Sequence, residues 1–418
     1  MRIVHINKSD TTGGASVAAL RLVSALQQMN VDASMLVAEK KTSHPWVHTA
    51  TKGRLGKARL LFHFLKEVAA YIPNEVNKES RFAWSAGHSG LDLSRHPLIQ
   101  SADIIHLHWI NQGFISINGL GKLLKLNKPV VWTFHDMWSF TGGCHYAGDC
   151  NNYEHFCGFC PFINDPALND LSNQQYLKKA RAYQGSNLNI VTCSNWLLGL
   201  ARESSLLKDV PVISIANPIE TDIYRPGSQK DARERLKLPY DKKIILFGAA
   251  NVSDPRKGMS HLIYALNQMA KEVPRDKAEL VIFGKAPDSL SEQFPYPVHL
   301  MHYIKSRERL IDLYHAADVF VLPSLEDNLP NTVMEALACG LPVVAFRIGG
   351  VPEMVVHGVC GYLAAPGNGM GLARGLQELL FSDNATDIRQ SARQKVEENY
   401  APEKVAGQYL SLYKSLLK

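Results

Sequence analysis

No stretch of the sequence is apolar for long enough to cross a bilayer, no segment is of low complexity, and no short-period repeat runs through it. A spanning helix needs about 20 consecutive apolar residues and a solenoid needs self-similar units, so neither class is expected. Charge of one sign is scarce as well. Forty-five Lys and Arg against 39 Asp and Glu leave +6 over 418 residues. That balance permits an anionic partner but gives no reason to expect nucleic acid. The opening MRIVHINKSD lacks the basic and apolar regions of a secretory signal and runs directly into a strand pattern, so the expected location is the cytoplasm. Thiols there stay reduced, and a disulfide framework is disfavoured. Cysteine is sparse at seven residues, yet four of them, Cys144, Cys150, Cys157 and Cys160, crowd into GGCHYAGDCNNYEHFCGFC at 142–160.

What is present is the pattern of an α/β protein. The length exceeds what one hydrophobic core normally supports and predicts about two domains. Short β-branched runs (RIVHIN, ASMLVA, DIIHLHW, PVVWTFHD, NIVTCS) alternate with helical stretches such as ASVAALRLVSALQQM, and KIILFGAA, ELVIFG, DVFVLPS and PVVAFRIGG repeat the theme. Such alternation predicts parallel strands with helical crossovers. We expect two Rossmann-like doubly wound domains facing a cleft, spanning 1–210 and 211–400, with a helix at 401–418 returning to the first domain. Pro211 to Pro226 reads as the connection. Ligands of such sheets bind at the carboxyl ends of strands.

Four stretches put chemistry there. Gly13 and Gly14, between the first strand and a helix, let backbone N–H groups approach an anion, or serve only the φ angles of a turn. His135 and Asp136 end the strand PVVWTFHD; an imidazole there contacts a substrate oxygen, carries a proton, or binds a loop carbonyl. His106 and His108 share one face of DIIHLHW and read as structural. Arg256, Lys257 and Gly258 open an amphipathic helix, and two cations at a helix start suit a diphosphate, although a solvated pair is the plainer alternative. The fourth stretch is DVFVLPSLEDNLPNTVMEALACGLPVVAFRIGG, where Glu326, Asp327 and Glu335 supply carboxylates suited to sugar and ribose diols, and Gly349 and Gly350 make a further turn.

Two segments stand apart. The spacing C-x5-C-x6-C-x2-C can furnish a tetrahedral thiolate set for a structural zinc, with His145 and His155 as alternative ligands and plain buried thiols as the alternative reading. A four-thiolate zinc leaves no open position for catalysis, so the expected role is to clamp the loop. GRLGKARLLFHFLKEVAAYI, 53–72, carries Arg54, Lys57, Arg59 and Lys66 among leucines and phenylalanines. It reads as a peripheral anchor on an anionic membrane or as an ordinary core-facing helix.

Taken with SNWL and NPI, the Gly13-Gly14 turn, TFHD, RKG and PSLEDNLPNTVMEALACGLPVVA resemble the retaining glycosyltransferases of family 4, of the two-Rossmann-domain GT-B type, and in particular those of bacterial exopolysaccharide and colanic-acid type. The resemblance covers essentially the whole chain. It implies transfer of a hexose from a nucleotide-diphosphate sugar to a saccharide or lipid-linked saccharide acceptor, with no obligatory catalytic metal. Carried over, Arg256 and Lys257 hold the diphosphate and Glu335 holds the ribose. Asp327, the first of two acids with seven residues between them, contacts the donor sugar with the N–H groups of Asn328 and Leu329. His135 lies beside the transferred sugar. The strand end here is Ala249, Ala250, Asn251, where many members have arginine, so Arg256 must substitute or Lys257 must carry the charge almost alone. A non-catalytic sugar-nucleotide-binding protein and an epimerase of the same architecture are the rival readings.

Overall fold

The computed structural model describes residues 1–78 and 80–418. Two compact units emerge: Met1–Pro218 with Glu403–Lys418, and Ile219–Pro402.

The first unit is a seven-stranded parallel sheet of β1 (Arg2–Ser9), β2 (Asp32–Glu39), β3 (Val47–Thr49), β4 (Ile104–Leu107), β5 (Val130–Phe134), β6 (Leu188–Thr192) and β7 (Val212–Ser214), in the order β3-β2-β1-β4-β5-β6-β7. Strand side chains alternate between faces. Ile3, Met35, Val37, Ile104 and Val131 therefore enter one core with Leu22, Leu26, Tyr409 and Tyr413. Val4, Leu36, Ile105, Val130 and Trp132 enter the other. Both faces are covered, which is why these strands read as nearly continuous apolar runs. The C-terminal helix Pro402–Leu416 contributes Tyr409 and Tyr413 to the first of these cores. Val212–Ser214, inside the stretch read as a connection, is the last strand of this sheet.

The second unit is a six-stranded parallel sheet of β8 (Lys243–Asn251), β9 (Ala278–Lys285), β10 (Val298–His302), β11 (Val319–Leu322), β12 (Val343–Phe346) and β13 (Gly361–Ala364), in the order β10-β9-β8-β11-β12-β13. Its core joins Ile245, Phe247, Leu280, Val321 and Val344 to Leu262 and Leu266 of helix Met259–Met269 and to Leu372 and Leu376 of helix Gly369–Leu380.

Each sheet reverses its winding once. In the first unit the chain runs outward from β1 to β3 and then returns to pair β4 with β1; in the second it runs from β8 to β10 and returns to pair β11 with β8. At such a switch point the two following loops leave in opposite directions and open a crevice at the strands' carboxyl ends.

Candidate functional site

In the second unit the crevice lies between the loops after β8 and β11, and these loops are tied together. After β8, Pro255–Lys257 form a 3₁₀ turn capped by the Asp254 side chain, which accepts the Arg256 N–H at 3.0 Å. Gly258 follows at φ 69 and the helix begins at Met259, so Arg256 and Lys257 precede the helix rather than lie on it. The left-handed φ alone favours glycine, and a Cβ at Gly258 would lie 1.8 Å from the Pro323 carbonyl oxygen. The Leu325 N–H donates to the Arg256 carbonyl at 2.8 Å, which locks the loop after β11 onto the basic turn. On its far side the Gly350 N–H donates to the Asn328 carbonyl at 2.7 Å, and Gly349, at φ 48, would drive a Cβ to 1.8 Å from the Asp327 carbonyl oxygen.

That clamp brings Lys257 to Asp327. The ammonium reaches both carboxylate oxygens, at 2.9 and 2.8 Å, with both side chains mostly buried. Arg256 turns elsewhere: its guanidinium grips Asp254 through two bonds, at 2.7 and 3.2 Å. Burial works against ionisation of Asp254, yet the arginine holds its carboxyl below the usual range. Glu335 sits on helix Asn331–Ala338, buried, and accepts the Tyr314 hydroxyl at 2.8 Å. Ser324, one residue beyond Pro323, has a fully buried hydroxyl without a hydrogen-bond partner, and position alone did not single it out. Asn328 and Leu329, which follow Asp327 in the chain, are buried. The arrangement offers one cation, one carboxylate and the N-terminal N–H groups of helix Met259–Met269, a set suited to a diphosphate and neighbouring hydroxyls.

In the first unit Gly13, at φ 89, caps helix Gly14–Gln28 directly after β1, and open space surrounds the site of its missing Cβ. His135 follows β5, and its Nε2 lies 3.2 Å from Nδ1 of His108. Burial pushes the His135 imidazole down to about 4, with the Asp136 carboxylate pulling weakly the other way. Asp136 itself is fully engaged. One oxygen accepts the Trp138 N–H at 2.9 Å, the other accepts Trp109 Nε1 at 2.9 Å and meets His145 Nδ1 at 2.7 Å. His145 Nε2 contacts Ser85 Oγ at 2.9 Å. Serine, histidine and aspartate thus stand in the order of a nucleophilic triad, but Ser85 is only 5% exposed and the chain of bonds serves to pin strand end to loop. The spacing pattern missed this network, because Ser85 lies far from TFHD in sequence.

The four cysteines line one cavity of about 20 Å³, together with Thr141, Ala147 and Tyr153. Cys144, Cys157 and Cys160 are buried in the core cluster that also contains Trp84 and Phe140, and Cys150 packs at its edge. Burial pushes the Cys144 and Cys157 thiols up to about 11 and about 12, and moves Cys160 in the same direction. His145 is committed to Asp136 and Ser85, and His155 is exposed, so neither candidate alternative ligand lines this cavity. Beside it Lys179 is completely buried; its ammonium donates to the carbonyls of Trp138 and Thr141 and stands 3.8 Å from the centre of the Trp138 ring.

The basic stretch forms helix Gly53–Tyr71, which packs one face on the first unit: Glu67 and Tyr71 are buried, and Leu60 and Ala70 rest against the core cluster, as the core-facing reading expects. Leu55, Leu61, Phe62 and Leu65 point to solvent, Leu55 at 88% exposure. At 100° per residue these four fall on one arc, flanked by Lys57 on one side and Arg59 and Lys66 on the other, with Arg54 inside it at the first turn. Among the described residues no helix is long and apolar enough to cross a membrane.

Comparison with known proteins bears on the fold and on the second unit. Residues 241–382, which hold Lys257, Asp327 and Glu335, match the family model described as glycosyl transferases group 1. The chain is 31% identical over 312 residues to D-inositol 3-phosphate glycosyltransferase of Mycolicibacterium smegmatis, covering 72% of this chain and 64% of that protein. It spans between two fifths and two thirds of the length of the first curated relatives it matches. Among solved structures, sucrose-phosphate synthase from Thermosynechococcus elongatus superposes with a TM-score of 0.69 at 19% identity, over 99% of this chain and 98% of that one. Anabaena Alr3699/HepE in complex with UDP-glucose superposes with a TM-score of 0.65 at 17% identity, over 99% and 100%. At these identities the likeness is one of fold, and the fold is GT-B.

Proposed function

We propose that this chain, a GT-B protein whose second unit carries a group 1 glycosyl transferase segment, moves a hexose from a nucleotide-diphosphate sugar to a saccharide or lipid-linked saccharide acceptor with retention at the anomeric carbon. The observation that carries the reading is the Lys257–Asp327 pair, held at the switch point of the second sheet by two glycine turns. Lys257 and the N–H groups of the helix after it take the diphosphate, whose negative charge grows as the bond to the sugar breaks. Fixed donors aimed at developing charge are the largest single source of catalysis in such sites. Asp327 holds sugar hydroxyls with the Asn328 and Leu329 backbone, Glu335 takes the ribose diol, and Arg256 supports the diphosphate when it leaves Asp254. In the first unit the substrate-facing group is His135, with Gly13 and Gly14 admitting close approach of backbone. The acceptor oxygen bonds to the anomeric carbon as the phosphate oxygen departs, and its proton passes to that phosphate. No residue serves as a covalent nucleophile, and no metal is required.

Two supporting roles belong to the same reading. The cysteine loop is proposed as a structural zinc clamp: four thiols line one cavity, the Gly142 N–H points at Cys157 Sγ from 3.0 Å as it would at a thiolate, and the buried Lys179 gains a counter-charge, although no three of the sulfurs lie within 4.8 Å of one another and zinc has to draw them together. Such a zinc stiffens the loop and leaves no open position for chemistry. Helix Gly53–Tyr71 rests on an anionic membrane through its outward apolar arc and flanking cations, at the inner face where a lipid-linked acceptor would be met.

The test is a panel of UDP- and GDP-hexoses incubated with the full chain and lipid-linked or free saccharide acceptors, with products resolved by mass and by anomeric NMR. A new α- or β-glycoside of the donor's own configuration supports the reading. An isomerised nucleotide sugar would make the protein an epimerase, and tight donor binding without turnover would make it a sensor.

A further inference from the structure

We infer that Tyr314 is a positioning residue for donor recognition, whose phenol fixes the Glu335 carboxylate in the orientation that accepts the hydroxyls of a nucleotide ribose. The inference rests on the reading that Glu335 takes the ribose diol.

Tyr314 and Glu335 belong to the two helices on either side of β11 in the chain. Helix Arg307–Ala316 leads into that strand, and helix Asn331–Ala338 follows the loop that leaves it. The Tyr314 hydroxyl meets Glu335 Oε2 at 2.8 Å, with Tyr314 wholly buried and Glu335 only 6% exposed. A carboxylate has no proton to give, so the phenol donates. Burial, and after it the neighbouring carboxylate, drives ionisation of Tyr314 well above the ordinary phenol range, which keeps that proton in place. The contact is therefore a charge-assisted O–H···O⁻ bond, stronger than one between neutral groups.

Packing alone does not require the hydroxyl. The Tyr314 ring stands edge-on to Phe283, with centroids 6.3 Å apart, and to Phe320 of β11, at 6.1 Å. A phenylalanine would fill the same room. A carboxylate held at 6% exposure likewise costs folding energy that an apolar side chain in its place would not. Both halves of the pair thus point to use rather than to filling.

The use follows from where Glu335 stands. It is the fifth residue of its helix, and helical side chains lean toward the N-terminus, which here is the end that the Asp327 loop leads into. The last torsion of a glutamate is broad, so an untethered carboxylate turns easily. One bond at Oε2 sets its plane. A carboxylate accepts in about four directions, so this bond orients the group without using up its capacity. Two hydroxyls fixed on a ribose ring need acceptor directions at set positions, and a group already held in that plane loses less freedom when they arrive.

The experiment measures on the full chain, by titration calorimetry, how much more tightly UDP binds than 2′-deoxy-UDP and GDP than 2′-deoxy-GDP. The native protein should favour the ribonucleotide of at least one pair by about tenfold or more, the equivalent of one hydrogen bond to a charged group. Glu335→Leu should bring that preference close to one. Tyr314→Phe, which keeps the ring between Phe283 and Phe320 and so keeps the fold, should cut the preference at least about threefold, and adding it to Glu335→Leu should change nothing further. A merely structural bond would lower the melting temperature, or weaken both members of a pair alike, and leave the preference where it was. A Tyr314→Phe protein with the native preference overturns the inference and leaves Glu335 on the ribose. A native protein that binds both members of each pair equally, one that binds neither nucleotide, or a preference that survives Glu335→Leu removes the ribose from Glu335, and the inference falls with that reading.

Discussion

Removing Lys257 and removing the charge of Asp327 should move nucleotide affinity in opposite directions. In the structure one ammonium serves both oxygens of one carboxylate at 2.9 and 2.8 Å, with side-chain exposures of 25% and 15%. A diphosphate bound at the same turn competes with Asp327 for that ammonium. Hydrogen bonds to charged groups contribute about 1.5–3 kcal/mol each, so Lys257→Ala should weaken UDP or GDP binding by roughly 10- to 150-fold. Asp327→Asn keeps the shape but gives up the competing charge. The lysine is released to the phosphates, and the free nucleotide should bind as tightly as to the native protein or up to about tenfold tighter. Sugar transfer should fall in both variants, since the asparagine no longer holds donor hydroxyls as a carboxylate does.

Titration calorimetry with UDP and with GDP, alongside thermal melts of each variant, separates the two effects. Lys257→Ala also strands a mostly buried carboxylate and should lower stability by about 1–3 kcal/mol, between the values for exposed and fully buried pairs. The melt must therefore show the variant folded at the titration temperature. A folded Lys257→Ala that binds both nucleotides at native strength refutes the assignment of Lys257 to the diphosphate. An Asp327→Asn that loses nucleotide affinity as steeply as the alanine variant refutes the competition.

Gly258→Ala and Gly349→Ala combine a left-handed φ with backbone oxygens 1.8 Å from the new methyl group, so each should cost more than about 2 kcal/mol and lower the melting of the second unit, read by circular dichroism. The six tryptophans all lie in the first unit, at positions 46, 84, 109, 132, 138 and 196, and their fluorescence isolates its unfolding. Its stability should fall as pH drops from about 6.5 toward 4: the unfolded chain binds protons at histidines whose folded values lie lower, about 3 for His5 and about 4 for His135, and each contributes up to about 1.4 kcal/mol per pH unit. A flat profile in urea unfolding would contradict the buried neutral histidines. Phe62→Asp and Leu65→Asp should abolish low-salt sedimentation with vesicles of phosphatidylglycerol, and native protein that stays in the supernatant ends the membrane reading. Protein purified without chelators should carry about one equivalent of zinc by elemental analysis, and less than a tenth of an equivalent rules out the clamp.

Much of the second unit was legible because its chemistry is local in sequence. A strand, a polar loop and a helix follow one another in FGAANVSDPRKGM and again in DVFVLPSLEDNLPNTVMEAL, and the switch-point rule then puts the two loops on either side of one crevice. What could not be read was the division of labour within the basic pair. Asp254 stands two residues before Arg256 and takes its guanidinium, and a spacing argument gives no reason for the arginine rather than the lysine to be captured. Short edge strands such as Val212–Ser214, Val298–His302 and Gly361–Ala364 escaped for a different reason. They are three to five residues long, too short for periodicity to rise above the surrounding loops.

The first unit concealed more, because its interactions join residues that only a parallel sheet brings together. His5 and His106 are directly opposed across β1 and β4, a hundred positions apart, and the alternation that marked His106 and His108 as sharing a face carried no hint of a third ring beside them. Three neutral imidazoles in a dry interior are expensive unless each nitrogen finds a partner. Two N–H···N bonds and two hydroxyls satisfy every nitrogen of His5, His106 and His108 but one. A cluster built only for packing could use leucine at each of these places without leaving a polar atom unsatisfied. That it uses histidine at each of these places, and joins the rings to one another and to two hydroxyls, makes a hydrogen-bonded network a more economical account of these residues than packing alone.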